Sequence, residues 1–267
     1  MQGDRVITSV SEAVSQDQPG VIQDSMDAVG SRGSANPESG ERRDKSSITL
    51  SAVKADPEVQ SLIRNANRNL GALGYTEHGF RHVGLVANIA RNILRHMGFD
   101  RRHQELAAIS GYLHDVGNVV SRHGHARTSA LLAREILNRL GADFEDTAIV
   151  MGAIGSHEDE GHLGDAVHAV SAALILADKS DVHRSRVRNT DPTAFDQHDR
   201  VNSAATSSRL HVDAEAKAVT LQLAIDTSIA PVMQYFEIFL PRMLMSRRAA
   251  EALGYSFHIT INDVVVL

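Results

Sequence analysis

The sequence predicts a mainly α-helical protein. A helical bundle is expected over residues 51–200, a small α+β unit over 201–267 and a disordered extension over 1–50. Three observations carry this reading. Apolar residues recur at helical spacing from 56 to about 190, with no alternating run of any length between. After about 200 the period changes to two, with Val219, Leu221, Leu223 and Ile225 on alternate positions. Near the N-terminus, SRGSANPESGERRDKSS is Ser, Gly, Pro and charge, with too little to bury to offset its ordering entropy.

Within the extension, VITSVSEAV has the composition of a transient helix. Asp56-Pro57-Glu58 then reads as a helix start, with Asp as N-cap and Pro at the first helical position. The segment PEVQSLIRNANRNLGALG carries a stripe of Val59, Leu62, Ile63, Ala66 and Leu70 and stops at glycine. FRHVGLVANIARNILRHMGF puts Val83, Val86, Ile89, Ala90, Ile93, Leu94 and Met97 on one face. RRHQELAAISGYLHDVG, HARTSALLAREILNRLG, DFEDTAIVMGAIGSH and AVHAVSAALILADKSDVHRS follow, punctuated by Gly98, Gly117, Gly141 and Gly155. Helices this short and this regularly interrupted pack as a bundle. RLHVDAEAKAVTLQLAID reads as a hairpin, and PVMQYFEIFLPRMLMSRRAAEALG as a long helix kinked at Pro241. FHITINDVVVL reads as two short strands around Asn262-Asp263. The result is a β-β-α-β-β unit, packed on the bundle or used to form a homodimer.

Composition narrows the chemistry. Of 267 residues, 42% are hydrophobic and 22% charged, which suits a globular protein. A formal net charge of -6 argues against dedicated nucleic-acid binding. The absence of cysteine excludes disulfides, thiolate zinc sites and iron–sulfur clusters, so any metal must be held by nitrogen and oxygen. Fourteen histidines supply nitrogen. No run of 18 apolar residues appears and MQGDRVITSV lacks a signal-peptide core, so a cytoplasmic protein without membrane association is expected.

The run GYLHDVGN ends an apolar helix in His114 and Asp115. The pair reads as a satisfied polar couple in a core, an accident of a helix end, or two ligands of one metal. Other hard-metal ligands share its placement. His78 and His82 lie four apart on one helical face, His123 and His125 flank a glycine in SRHGH, His157 follows a helix and Asp178 ends one. Imidazole and carboxylate suit Mn, Fe, Zn, Mg or Ni without distinguishing among them. Two ions about 3.5–4 Å apart stabilise the attacking and leaving oxygens of phosphoryl displacement.

The order His82, His114-Asp115, Asp178 resembles the HD superfamily of metal-dependent phosphohydrolases, whose H…HD…D pattern binds metal on an all-α fold. HVGLVANIA, LHDVGN and ILADKSD are similar to its opening, central and closing motifs, and the likeness covers about residues 75–185. His125 and His157 stand where the binuclear branch carries further ligands, a branch that includes HD-GYP phosphodiesterases and diadenosine tetraphosphate hydrolases. The resemblance implies one or two divalent ions: His82, His114, Asp115 and Asp178 on the first, and Asp115, His125 and His157 on the second. It implies that Asp115 and the ions activate water. It also implies that His78, four before His82 as in cyclic-nucleotide phosphodiesterases of the superfamily, is a general acid. Asn118 stands where many members carry lysine, and SHEDEGHLGD lacks the GYP motif, so no cyclic-di-GMP activity is implied. Lys179 and Arg122 are the candidate substrate-binding cations. Arg184, Arg186 and Arg188 read first as a solvated face and second as a clamp. Glu158, Asp159 and Glu160 read as a solvated loop in which Glu158 can orient a ligand, and the second dipeptide, His198-Asp199, as a surface pair.

The implied function is hydrolysis of a phosphomonoester or phosphodiester, in particular a nucleotide, by metal-activated water. The alternatives are a nucleotide-sensing domain with weak catalysis and a di-iron oxygenase sharing the ligands.

Overall fold

The computed structural model describes residues 6–9, 48–158 and 164–267. The reading of a disordered extension falls, apart from 6–9 and the last residues before 51, outside the described residues, as do Asp159 and Glu160. Strand β1 (Val6–Ser9) comes first, where a transient helix is expected. It pairs antiparallel with a later strand, Val6 opposite His211. Val, Ile and Thr favour extended backbone, and an unpaired sheet edge supplies the hydrogen-bond partners that a lone short helix lacks.

The bundle begins one short helix earlier than the periodicity suggests. Helix α1 (Leu50–Ala55) is capped by Thr49, whose side chain accepts from the Ala52 amide, and buries Leu50 and Val53. Helix α2 (Pro57–Ala72) starts as expected, with Asp56 accepting from the Val59 amide and Pro57 in the first turn. Then come α3 (Phe80–His96), α4 (Arg101–Leu113), a 3-10 turn over Val116–Val119, α5 (His125–Arg139), α6 (Phe144–Gly155) and α7 (Ala169–Ser180). His168 caps α7 in a reciprocal box with Ser171. Helix α8 (Gln197–Ala204) leads into the sheet.

Strands β2 (Ala205–Asp213) and β3 (Ala218–Ile225) form the expected hairpin, and Val219, Leu221, Leu223 and Ile225 are all buried. Helix α9 (Val232–Ala252) is the expected long helix, with Pro241 inside it. It is the crossover that lets β4 (Ser256–Ile261) run parallel to β3, after which β5 (Val264–Val265) turns back at Asn262-Asp263. The sheet order is β1-β2-β3-β4-β5.

This unit is not an appendage. Helix α9 packs on α7, and β2 lies against α3 and α7. One apolar cluster runs from Val86 and Leu113 through Ile175 to Leu221, Tyr235 and Ile259. Among the described residues, no helix is long and apolar enough to cross a membrane.

Candidate metal centre

Two glycines bring the central helices together. A Cβ at Gly111 would stand 2.8 Å from Ala87 Cα, so α4 touches the backbone of α3 where only glycine fits. A Cβ at Gly117 would stand 2.4 Å from the His125 carbonyl oxygen, and the Gly117 amide donates to Ser129 Oγ at 2.8 Å. The apolar end of α4, buried from Leu106 to Leu113, therefore carries His114 and Asp115 inward between α3 and the start of α5. His82 lies in the first turn of α3, His125 opens α5, His157 follows α6, and Asp178 lies in the last turn of α7. All six side chains are buried.

Their inner atoms converge in three overlapping groups that could hold a metal ion: His82, His114 and Asp115; His114, His157 and Asp178; and Asp115, His125 and His157. His82 Nε2 is 3.2 Å from His114 Nε2 and 3.3 Å from Asp178 Oδ1. Asp115 Oδ2 is 3.4 Å from His114 Nε2. On the other side Asp115 Oδ1 is 3.4 Å from His125 Nε2, which is 3.3 Å from His157 Nε2. Two ligands about 2.1 Å from one ion, at 90–109° to each other, lie roughly 3.0–3.4 Å apart, so these spacings suit shared coordination.

The outer nitrogens fix the imidazoles. Nδ1 of His82 meets Asp181 Oδ2 at 2.7 Å, and Nδ1 of His114, His125 and His157 meets the carbonyl oxygens of Gly111, Arg122 and Ile154 at 2.8, 3.1 and 2.6 Å. A carbonyl only accepts, so each of those three rings carries a proton on Nδ1 and, when neutral, turns a bare Nε2 inward. Facing lone pairs repel unless a cation lies between them. Asp115 Oδ2 is also buried without a hydrogen-bond partner, which costs stability if nothing positive reaches it. This donor set fits divalent metal, with the outer contacts that metal-binding histidines characteristically make.

Electrostatics agrees. Burial pushes His157 down to about 3, aided by His114 and His125, so it stays neutral. Burial would lower His114 as well, but Asp115 and Asp178 overcome it and raise its pKa. Burial opposes ionisation of Asp115, yet His114, His78 and His125 hold it well below the usual carboxylate range. The cluster attracts positive charge at its centre.

A cavity of about 530 Å³ opens onto Asp115 and Asp178. Lys179 and Arg122 both line it, tied to one carboxylate: Lys179 Nζ lies 3.2 Å from Glu158 Oε2, and Arg122 lies 3.3 Å from Glu158 Oε1. Glu158 is thus an ion-pair hub rather than a solvated loop residue, and burial, which would raise its pKa, is outweighed by Lys179 so that it falls to about 2. Asn118 donates to Asp115 Oδ1 at 2.9 Å. Of the histidines in SRHGH, His125 is buried in the cluster and His123 is exposed.

His78 lines the cavity with a different hydrogen-bond role from the general acid expected of it. Arg186 donates to its Nε2 at 2.9 Å, and its Nδ1–H donates to the Thr76 carbonyl at 2.7 Å. Arginine only donates, so His78 is the neutral Nδ1–H tautomer, and burial followed by Arg186 holds its pKa well below 6.5. Its inward nitrogen carries no proton to give. The arginine run divides: Arg186 is buried at the cavity wall, Arg188 ties down the Tyr75 carbonyl, and Arg184 is exposed. His198 and Asp199, expected as a plain surface pair, also line the cavity, because α8 and α9 fold over its mouth. Sequence reasoning missed Asp181, three residues after Asp178, and the whole wall from α9.

Residues 79–187 match the family model for the HD domain. Over that segment the chain is similar to the HD domain family. It is also similar to an uncharacterized protein of Methanocaldococcus jannaschii, MJ1020, with 28% identity over 179 residues that cover 55% of this chain and 68% of that protein. The matched segment ends before α8, so it holds the ligand cluster while α8 and α9 line its cavity from outside that segment.

Proposed function

We propose that this HD-domain protein is a cytoplasmic metal-dependent phosphohydrolase of the binuclear kind, acting on a small phosphoester, in particular a nucleotide, rather than on nucleic acid. The observation that carries it is Asp115: one oxygen lies by the Nε2 of His114 and the other by the Nε2 of His125. His82, His114, Asp115 and Asp178 would hold one ion, and Asp115, His125 and His157 the other. Ions held there supply Lewis-acid polarisation of a phosphoryl oxygen and acidify the attacking water.

The chain's own groups do the rest. Asp181 fixes the orientation of His82, and Asn118 holds Asp115 with one oxygen toward each set. Glu158 keeps Lys179 and Arg122 at the cavity wall, within reach of a phosphate. Arg186, steadied by His78, adds a further donor there.

The test joins elemental analysis of the purified chain to a nucleotide and generic phosphoester screen. Two equivalents of divalent metal and phosphate release are expected, and Asp115→Ala removes both. Full activity in that variant ends the proposal. The lack of a proton on His78 favours a second reading, in which the pocket binds a nucleotide with little turnover; binding without phosphate release identifies it. Oxygen consumption with an iron spectrum would instead assign the oxygenase chemistry.

We also propose self-association through the C-terminal unit. Val264 and Val265 of the edge strand β5, and Val266 and Leu267 after it, are exposed, and an apolar sheet edge invites pairing with a second copy.

A further inference from the structure

Four cationic side chains line the cavity: Arg122, Lys179, Arg186 and Arg242. Three have acidic partners. Lys179 lies 2.8 Å from Asp178 Oδ2, Arg122 lies 3.3 Å from Glu158, and Arg186 lies 3.7 Å from Asp181 Oδ2 while donating to the Asp181 carbonyl. Arg242 differs. Its guanidinium carbon sits 5.2 Å from the centroid of the Phe239 ring, and among the described residues no carboxylate pairs with it. It is half-buried, and its charge reaches Arg186, whose pKa burial lowers and Arg242 lowers further against the pull of Asp181. A half-buried guanidinium near a second cation, with no carboxylate partner among the described residues, is costly unless an anion visits it.

We propose that Arg242 is the phosphate anchor of the substrate and that it selects phosphomonoester dianions over diester monoanions. The inference rests on the phosphohydrolase reading and narrows its substrate class. A guanidinium offers a planar pair of donors that matches two phosphate oxygens, which a lysine cannot do. Stacking on Phe239, itself buried, fixes the plane of that fork. Buried Met243 and Met245 flank the site on α9, so the guanidinium is presented from a rigid element rather than a loop. A dianion gains twice the Coulomb attraction of a monoanion at the same distance. The α+β unit is then a working half of the site.

The experiment uses the metal-replete full chain, with p-nitrophenyl phosphate and bis(p-nitrophenyl) phosphate as substrates and inorganic phosphate as a calorimetric ligand. Arg242→Gln is expected to raise both the monoester KM and the inorganic phosphate Kd about ten- to a hundredfold. The diester, with half the charge, loses roughly the square root of that factor, about three- to tenfold. The loss falls on KM, because an anchor distant from the scissile bond holds substrate and transition state alike. Metal content stays at the wild-type value. Arg242→Lys keeps the charge without the fork and gives a smaller shift of the same sign, which carries the comparison should the glutamine variant not fold. Wild-type phosphate affinity in a folded variant overturns the anchor, and equal losses on monoester and diester overturn the selectivity. If the metal-loaded wild type hydrolyses neither ester yet binds phosphate through Arg242, the hydrolase reading has failed and the anchor stands.

Discussion

Replacing Asp181 with asparagine isolates a buried carboxylate that supports the candidate ligand cluster from outside it. Asp181 is wholly buried and takes three partners: His82 Nδ1 at 2.7 Å, Arg81 at 2.9 Å and Arg186 at 3.7 Å. Asparagine keeps the shape and one acceptor, but its amide nitrogen then faces guanidinium donors. Breaking a buried charge pair costs about 3–5 kcal/mol. Arg81 is partly exposed and Arg186 distant, so the lower end applies, about 3 kcal/mol. Loss of the fixed His82 orientation should separately weaken metal binding about 10- to 100-fold. Urea unfolding gives the first quantity and chelator competition the second.

The pH dependence adds a signature to the same variant. Burial opposes ionisation of Asp181, but Arg186, His82 and Arg81 hold its carboxyl well below the normal range. A depressed folded-state pKa stabilises the protein above the unfolded value, about 3.9, and the stabilisation is lost as pH falls toward the folded one. The gap between wild type and Asp181→Asn should therefore be full at neutral pH and close as the medium is acidified below about pH 4. Unchanged stability and unchanged metal affinity together would refute the assignment of Asp181 as the His82 support.

Four other perturbations follow. Gly111→Ala places a methyl 2.8 Å from Ala87 Cα, so overpacking of about 1–3 kcal/mol outweighs the helix propensity it gains, and thermal denaturation should show a lower Tm. Asp56→Ala removes the α2 cap and the pair with Arg139 at 2.7 Å; with Arg139 half-exposed, about 1–2 kcal/mol is expected in urea unfolding, most of it from the cap. Stripping metal with a chelator should lower Tm, since ligand at about 100 times its Kd contributes about 2.7 kcal/mol, and Val265→Lys should shift sedimentation toward a monomer if the β5 edge pairs copies.

Much of the architecture was legible because its signals are local. The Asp56-Pro57 start, the apolar stripes of α2 and α3, the alternation in β3 and the Asn262-Asp263 turn each specify their element within a few residues. The cluster residues were legible for a related reason: His114-Asp115 and Asp178 close buried apolar runs, where a polar side chain is conspicuous. Other features depend on partners far along the chain. VITS becomes a strand only because β2, some two hundred residues on, has an open edge. His78 looks like a proton donor by spacing alone, while the fold sets Arg186 of the later turn to donate to its Nε2. Glu158 looks like loop charge until Lys179 and Arg122 close on it. Asp181 ends an ordinary helix in sequence, and its burial emerges only when α3 packs on α7.

The position of the C-terminal unit explains why the cavity has polar walls of two origins. The HD segment alone supplies ligands and the cations paired to Glu158 and Asp178, so its charges are largely balanced internally. Helices α8 and α9 add Asp196, His198, Asp199 and Arg242, outside the matched segment and free of its metal-binding constraint. A fold that keeps reaction groups on the bundle and recognition groups on an added unit can change its substrate without disturbing the ions. The continuous apolar core through α7, α9 and the sheet makes that division workable: it holds the added wall against the bundle, so that under the proposed function recognition on one side and chemistry on the other would act on a single bound molecule.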